Sequence, residues 1–206
     1  DSVTEIGDRV FASCNSLTDI IVDNNNKDYS SLQGVLFNKK KTILIRCPQG
    51  KTGHYIIPNS VKKIGVSAFS RCNELSEITI PNSVTNVENS AFLDCSGLNA
   101  VIIPNSVTTI GDRAFDACCN LRVISIPQSV TKIGEFVFDD CSSLTSITFL
   151  NEAVRLGDEA FWQCTNIKSI NIPSGTRKNF IKFPAIKSFQ EVLIEMDEPL
   201  NIAFKE

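Results

Sequence analysis

Hydrophobic residues recur along this chain with a fixed step of 23 residues. The phrase Ile-Pro-Asn-Ser-Val occupies residues 57–61, 80–84 and 103–107, and Ile-Pro-Gln-Ser-Val occupies 126–130. Other columns with this step are Phe69, Phe92, Phe115, Phe138 and Phe161, then Cys72, Cys95, Cys118, Cys141 and Cys164, then Leu75, Leu98, Leu121, Leu144 and Ile167. An earlier copy covers residues 1–22. Such self-similarity predicts a solenoid, in which stacked copies bury a continuous core that one copy cannot form.

Each repeat predicts one short strand and an irregular return. In the repeat that begins at Leu75, Ile78 and Ile80 are two residues apart and therefore point to one side of a strand. Pro81 follows at once and has no N–H for a ladder, which suits a strand end. Equivalent strands of successive repeats are expected to form a parallel sheet with a spacing of about 4.8 Å.

The repeat L-x-x-I-x-I-P-x-S-V-x-x-I-G-x-x-A-F-x-x-C resembles the BspA-type (treponemal-type) leucine-rich repeat over residues 1–22 and 57–173. The resemblance implies a right-handed leucine-rich repeat superhelix of the α/β solenoid class. Its concave face would be a parallel β-sheet, and its returns would be irregular or 3-10. It also implies a secreted or cell-surface bacterial protein that adheres to host extracellular-matrix proteins or to other microbial cells.

The predicted organisation is one leucine-rich repeat domain over 1–206. It consists of a first repeat (1–22), an insert (23–56), five contiguous repeats (57–173) and a C-terminal cap (174–206). The cap is expected to hold a short helix near 177–182 and one or two strands near 189–204, because an open solenoid end would expose the core. Asp1 aligns one residue inside a repeat, so we expect the natural protein to continue upstream.

The insert predicts a β-hairpin. Strand-like segments 35–37 and 42–47 flank the polar turn 38–41, and we expect the pair Cys47-Pro48 to take the place of Ile-Pro. The insert holds six basic and two acidic residues, a formal charge of +4 in a chain of net charge −3. Two interpretations of the basic residues Lys39, Lys40 and Lys41 stay open: a solvated hairpin tip, or a contact with an anionic partner.

Composition excludes several classes of protein. With 42% apolar and 21% charged residues the chain is not disordered. No apolar run approaches the roughly 20 residues that cross a bilayer. The near-neutral charge disfavours a nucleic-acid partner. A protein ligand and a monomeric chain are expected instead.

The cysteine column predicts buried thiols. Its members are one repeat apart and do not converge as the ligands of a zinc site do, so we expect a ladder of small core residues without disulfides or metal. Cys119, next to Cys118, is the thiol expected to be accessible. The single histidine, His54, could pair with Cys47 as a nucleophile, but a surface or strand-edge position is favoured. The familiar phosphate-binding, hydrolase and metalloprotease motifs are absent from the sequence, and we expect no cofactor.

The outward face of the predicted concave sheet is the remaining candidate site. One column reads Asp19, Glu77, Ala100, Val123, Ser146 and Ser169, and the other reads Ile21, Thr79, Ile102, Ser125, Thr148 and Asn171. All of these except Asp19 and Ser169 are candidate protein-binding residues. Ordinary β-propensity on a solvated sheet explains the columns, and so does a docking patch centred on Ala100, Ile102 and Val123.

The favoured function is a non-catalytic protein-binding module that uses this concave face. The alternative is a rigid spacer that presents another domain of a larger surface protein. A hydrolase with a reactive Cys47 or Cys119 is a distant third hypothesis.

Overall fold

The computed structural model describes residues 2–7 and 10–196. Within them the chain forms fifteen short strands and little helix. In chain order these are β1 (Tyr29–Leu32), β2 (Val35–Asn38), β3 (Ile43–Arg46), β4 (Gly53–Ile56), β5 (Lys63–Ile64), β6 (Leu75–Thr79), β7 (Asn86–Val87), β8 (Ala100–Ile102), β9 (Thr109–Ile110), β10 (Val123–Ile126), β11 (Lys132–Ile133), β12 (Ser146–Phe149), β13 (Arg155–Leu156), β14 (Ser169–Pro173), helix α1 (Arg177–Phe180), a 3-10 helix (Pro184–Val192) and β15 (Leu193–Met196).

The longer strands form one parallel sheet, here called the long-strand sheet, in the order β15-β14-β12-β10-β8-β6-β4. Partners such as Val123 and Ser146, or Ile147 and Ile170, lie one repeat apart in the sequence. Alternate side chains point inward, which buries Ile124 and Ile147 completely or nearly so. This arrangement confirms the leucine-rich repeat solenoid with a parallel sheet.

A second sheet, the short-strand sheet, runs along the return side in the order β1-β2-β3-β5-β7-β9-β11-β13. From β5 onward its members are two-residue parallel strands, again in the 23-residue register, for example Ile64 opposite Val87. The insert forms the first three strands, which are antiparallel to one another, and β3 then pairs in parallel with β5. The predicted hairpin therefore extends the short-strand sheet and not the concave one.

Cys47 does not take the place of a strand-end isoleucine, so that prediction is wrong. Its N–H donates to the Ala68 carbonyl at 2.7 Å, as Phe69 N–H does to Ala91 O, and its carbonyl accepts the Cys72 thiol at 3.7 Å, as Phe69 O accepts the Cys95 thiol. These two bonds place Cys47 at the phenylalanine position of its repeat. The Ile-Pro position belongs to Ile57, which follows β4 and donates its N–H to Thr79 O at 3.1 Å. The reason is that β4 lies within the predicted insert and is itself a strand of the long-strand sheet.

Two residues per repeat adopt positive φ in the returns without being glycine. They are Ser67, Ser90, Arg113, Phe136 and Glu159 in one column and Arg71, Asp94, Ala117, Asp140 and Gln163 in the other. These left-handed residues turn the chain tightly. The turned backbone then hydrogen-bonds to the next repeat, as in Phe69 N–H to Ala91 O at 2.7 Å and Phe92 N–H to Ala114 O at 2.8 Å.

The core is a set of stacked columns between the two sheets. The five phenylalanine rings from Phe69 to Phe161 stack with centroids 5.0 to 5.7 Å apart and planes within 12° of parallel. Phe180 and Ile186 are completely buried at the C-terminal end, where Phe180 lies 5.2 Å from Phe149. They cover the core of the last repeat.

The C-terminal segment includes the predicted short helix, α1, and one predicted strand, β15. Leu193 of β15 pairs with Ile170, so the strand keeps the 23-residue step that the tail sequence was not expected to follow. The part of the predicted cap beyond residue 196 lies outside the described residues. No helix in the described ranges is long and apolar enough to cross a membrane.

Candidate functional site: the outward face of the long-strand sheet

Nine of the ten predicted binding residues lie together on the outward face of the long-strand sheet. Their registers form two rows: Glu77, Ala100, Val123, Ser146 with Ser169, and Thr79, Ile102, Ser125, Thr148, Asn171. Parallel pairing fixes each step along a row at the distance between adjacent strands. The face is therefore a rigid array of side chains from successive repeats.

The tenth predicted residue, Ile21, is not on the sheet. Ile20 donates its N–H to Gly34 O of the β1–β2 turn at 2.7 Å, and Val22 donates its N–H to Ser31 Oγ at 2.9 Å. The first-repeat segment thus hydrogen-bonds to the insert and not to β4 at these residues, and no strand is formed over residues 10–22. Ile21 is left 87% exposed, away from the predicted site.

An apolar patch lies at the middle of the face and consists of Ala100, Ile102 and Val123. Ile102 is 51% exposed and Val123 is 54% exposed, and Val101 between the two patch residues of β8 points into the core. Because Ser125 is opposite Ile102 in the register, Val123 is opposite Ala100 and diagonal to Ile102. Three apolar side chains from two strands thus meet at the surface.

The C-terminal third of the face is polar and internally hydrogen-bonded. Ser146 and Ser169 share a hydrogen bond of 2.8 Å between their hydroxyls. The Asn171 amide donates to Ser146 Oγ and to Thr148 Oγ1, each at 3.2 Å. Thr148 is only 6% exposed. Thr148 therefore offers little surface to a partner, although it was predicted as a contact.

The opposite end of the face holds two residues that sequence reasoning missed, His54 and Ile56. The register places His54 beside Glu77 and Ile56 beside Thr79. His54 Nε2 lies 2.8 Å from Thr79 Oγ1 and 4.0 Å from a Glu77 carboxylate oxygen. Ile56 is 61% exposed. The signal that could have found them is the spacing from Ile57-Pro58, which ends β4 as Ile80-Pro81 ends β6.

One of the three lysines in the basic turn of the insert, Lys39, has a structural role. Lys39 Nζ donates to the carbonyls of Asn24 at 2.9 Å and Asn26 at 2.5 Å, which holds the preceding turn in place. Lys41 occupies a turn position with φ 52°. Lys40 is exposed on the same turn. The three lysines therefore do not present three equivalent free charges.

Five column cysteines, from Cys72 to Cys164, line the core as a ladder of free thiols, and Cys47 is buried next to Cys72. Cys95, Cys118, Cys141 and Cys164 each donate to the carbonyl of the phenylalanine 26 residues earlier, at 2.9, 3.2, 3.1 and 2.8 Å. Burial raises the pKa of Cys95 and Cys118, so these thiols stay protonated. The residues that the structure describes contain no group of three or more His, Cys, Asp or Glu side chains placed to hold a metal ion.

The two cysteines considered as nucleophiles are in unfavourable surroundings. Cys47 is completely buried, and the adjacent Cys72 thiol together with burial raises its pKa. Cys119, the thiol expected to be accessible, is half-buried, and burial and then the negative charge of Asp140 raise the pKa of its thiol. A raised pKa leaves little thiolate at neutral pH.

The returns carry acidic residues that pair with arginines, as Asp94 does with Arg71 at 3.4 Å. Asp116 is nearly buried and accepts a hydrogen bond from Arg113 Nη1 at 2.9 Å. Burial nevertheless raises the pKa of Asp116, against the opposing effect of Arg113. Arg113 also lies over the Phe136 ring, 4.5 Å from its centroid. The contacts of Arg113 and Asp116 are therefore made within the returns.

Comparison with known proteins gives one family and several similar structures. Residues 1–56 and 49–168 match the family described as BspA type leucine rich repeat region, in six copies. No curated protein matches this chain. A leucine-rich cell surface protein from Faecalibacterium prausnitzii A2-165 is 29% identical, with a TM-score of 0.80 over 89% of this chain and 48% of its own.

Two further structures share the architecture. A leucine-rich repeat protein from Eubacterium ventriosum ATCC 27560 is 30% identical, with a TM-score of 0.79 over 97% of this chain and 53% of its own. The T. pallidum leucine-rich repeat protein is 28% identical, with a TM-score of 0.58 over 63% of this chain and 62% of its own. This chain thus spans about half the length of the Faecalibacterium and Eubacterium proteins.

Proposed function

Because this chain belongs to the BspA-type leucine-rich repeat family, whose repeats are a protein-interaction module, we propose that it binds a protein through the outward face of its long-strand sheet. The observation that carries the proposal is the apolar patch of Ala100, Ile102 and Val123. Clustered apolar side chains on a surface often mark an interaction site, and solenoids commonly bind through an extended sheet.

The face has the layout of a binding surface as well as its composition. The patch has an exposed polar residue, Thr79, on one side and the hydrogen-bonded group around Ser146 and Asn171 on the other. An apolar centre with a polar rim is the usual arrangement of a protein interface. The fixed strand register keeps these side chains in place before binding, which reduces the ordering cost of association.

The partner proposed is a host extracellular-matrix protein or a surface protein of another microbial cell. The proposed location is extracellular or at the cell surface, since the Faecalibacterium relative is described as a cell surface protein. The proposed active form is a monomer over residues 1–206. A leucine-rich repeat solenoid is typically a non-catalytic scaffold, and the buried, protonated cysteines give no support to a thiol hydrolase.

The experiment is surface plasmon resonance of the immobilised chain against purified extracellular-matrix proteins, with a parallel adhesion assay on microbial cells. The double variant Ile102→Glu/Val123→Glu is expected to lower affinity for any captured protein at least tenfold, which is about 1.4 kcal/mol. Val66→Glu is the matched control, since Val66 is 61% exposed on the return side. Equal binding by the folded double variant would remove the sheet face from the proposal.

A rigid spacer is the second candidate, and the continuous stack of phenylalanine rings favours it. Deletion of residues 126–148 removes one whole repeat, keeps Ala100, Ile102 and Val123, and shortens the solenoid by one strand spacing, about 4.8 Å. A spacer depends on that length and tolerates Ile102→Glu/Val123→Glu. If no protein is captured in the binding assay and function depends on the length of the solenoid, the spacer is favoured.

A further inference from the structure

The long-strand sheet has an open edge at β4. The N–H groups of Gly53 and Ile57 donate to Glu74 O and Thr79 O, at 2.9 and 3.1 Å, on the β6 side. Because backbone groups alternate in direction along a strand, those of His54 and Ile56 point the other way. Within the described ranges, no strand pairs with β4 on that side.

The insert is the reason that this edge stays open. The first-repeat segment contacts the chain just before β4, where Gly50 donates its N–H to Leu17 O at 2.8 Å. Beyond that point the β1–β2 turn separates the two. It accepts Ile20 N–H at Gly34 O on one side, and the Lys51 ammonium donates to Gln33 O on the other.

A cavity of about 580 Å³ lies between this turn and the edge of β4. Leu32 on the turn side and Ile56 on the strand side supply its exposed apolar walls, and both side chains are partly open to solvent. Lys51 is the only charged residue among those that line it, and its ammonium lies 4.0 Å from a carboxylate oxygen of Asp19. The cavity is large enough for two or three side chains, and it borders a row of backbone groups that face outward.

We propose that this edge binds an extended peptide segment of a partner protein, which adds to the sheet as a further strand beside β4. Its backbone pairs with the outward groups of His54 and Ile56, as in β-strand addition. An apolar side chain of the segment packs between Leu32 and Ile56. An acidic side chain approaches Lys51, whose contact with the half-exposed Asp19 carboxylate is long, at 4.0 Å, and leaves room for a second carboxylate. This site stands apart from the apolar patch on β8 and β10 and does not depend on it.

Two substitutions at Ile56 test whether the peptide pairs with the backbone of β4. Ile56→Pro removes the outward N–H and leaves the β6 ladder intact, because proline is tolerated where the N–H of an edge strand faces solvent. Ile56→Val keeps the N–H and most of the side chain. Peptides selected from a displayed library of random 12-residue sequences are the probe, with affinity measured by fluorescence anisotropy.

The expected result is a selected peptide with alternating apolar residues and at least one acid. Ile56→Pro weakens its binding at least tenfold, Ile56→Val less than threefold, and Lys51→Gln about three- to tenfold. Ile102→Glu/Val123→Glu has no effect on it, which separates this site from the sheet face. In the wild-type chain, amide hydrogen exchange at His54 and Ile56 slows when the peptide is added, a readout that does not depend on how the proline variant folds.

Three results would overturn the proposal. One is a selection that yields no binding peptide, and another is a bound peptide that leaves exchange at His54 and Ile56 unchanged. The third is sedimentation that shows a dimer lost in Ile56→Pro, which would assign the edge to a second copy of this chain.

Discussion

The phenyl ring of Phe92 stacks on that of Phe115, with centroids 5.0 Å apart and planes only 5° from parallel. Both rings are completely buried, and each belongs to a column that runs through five repeats. A ring in this column contacts the core of the repeat before it and of the repeat after it. Neighbouring repeats are therefore coupled in stability, as the one-dimensional stacking of solenoids requires.

Phe92→Ala is expected to lower the free energy of unfolding by about 3–5 kcal/mol, because it removes a buried ring and leaves a cavity. Loss of two ring contacts adds to the cost of the cavity. Urea denaturation monitored by circular dichroism measures the change. Trp162→Ala is the control, since this aromatic side chain is half-exposed and its removal should change stability by less than about 1 kcal/mol. Equal losses for both variants would contradict the stacked core.

The cysteine ladder predicts a fall in stability at alkaline pH. The pKa values of Cys47, Cys95, Cys118 and Cys141 are raised by burial or by a neighbouring thiol. Above the ordinary thiol pKa of about 8.5, the unfolded chain loses protons that the folded chain keeps, so rising pH favours unfolding.

The expected profile is level from pH 7 to 8 and falls above about pH 8.5, by up to about 1.4 kcal/mol per pH unit for each such thiol. Urea titrations at several pH values under reducing conditions measure it. Cys118→Ala is expected to reduce the slope by the share of one thiol, although it also lowers stability at neutral pH. A profile that stays level to pH 9.5 would refute the ladder of protonated thiols.

The repeat columns could be predicted from sequence because burial at each position depends on local identity repeated every 23 residues. Phe92, Phe115 and Cys118 lie where their columns place them. The burial of Thr148 could not be predicted in this way, since it lies in an outward column and accepts a hydrogen bond from Asn171 on the next strand. Ile21 fits its column in sequence, but the β1–β2 turn occupies the place where its strand would pair.

The two end strands of the long-strand sheet, β15 and β4, could not be predicted for a different reason. Leu193 lies 23 residues after Ile170, yet the tail has no proline, glycine or phenylalanine at the positions where the other repeats carry them. His54 and Ile56 lie on β4, inside a segment that had lost the motif. Both β15 and β4 pair with the strand of the neighbouring repeat, β14 and β6, although their own sequences lack the repeat motif.

The β1–β2 turn depends on a close approach at Gly34. This residue has φ +77°, and a Cβ there would lie 2.1 Å from Asp19 Oδ1 and 3.1 Å from Asp19 Cα. Gly34→Ala is therefore expected to lower the free energy of unfolding by more than backbone strain alone, which costs about 1–3 kcal/mol. Gly53→Ala isolates the strain, since Gly53 has φ +76° and nothing within 4 Å of the added Cβ.

Urea denaturation of both glycine variants measures the difference. The Gly34 variant is expected to lose at least about 1 kcal/mol more than the Gly53 variant, a gap typical of a steric conflict in a packed region. Equal losses would mean that the first-repeat segment moves away from the turn without cost. That outcome would also weaken the argument that the insert holds the β4 edge open.

The hydroxyl of Tyr55 is buried without a hydrogen-bond partner among the described residues. The ring occupies the inward column of β4 and lies 5.9 Å from Phe69, so its packing is that of a core aromatic residue. Burial raises the pKa of Tyr55, which keeps the hydroxyl neutral. An unpaired buried hydroxyl costs about 1–3 kcal/mol. Tyr55→Phe is therefore expected to raise the free energy of unfolding by about 1 kcal/mol.

The chain's other tyrosine supplies the control for this substitution. Tyr29 donates its hydroxyl to Thr4 O at 3.4 Å near the surface, so Tyr29→Phe should change stability by less than about 0.5 kcal/mol. Urea denaturation of both variants gives the comparison directly. A loss of 1 kcal/mol or more in Tyr55→Phe would show that the hydroxyl is hydrogen-bonded in solution. In that case the inward column of β4 would be polar at its centre, unlike the isoleucine column of the other repeats.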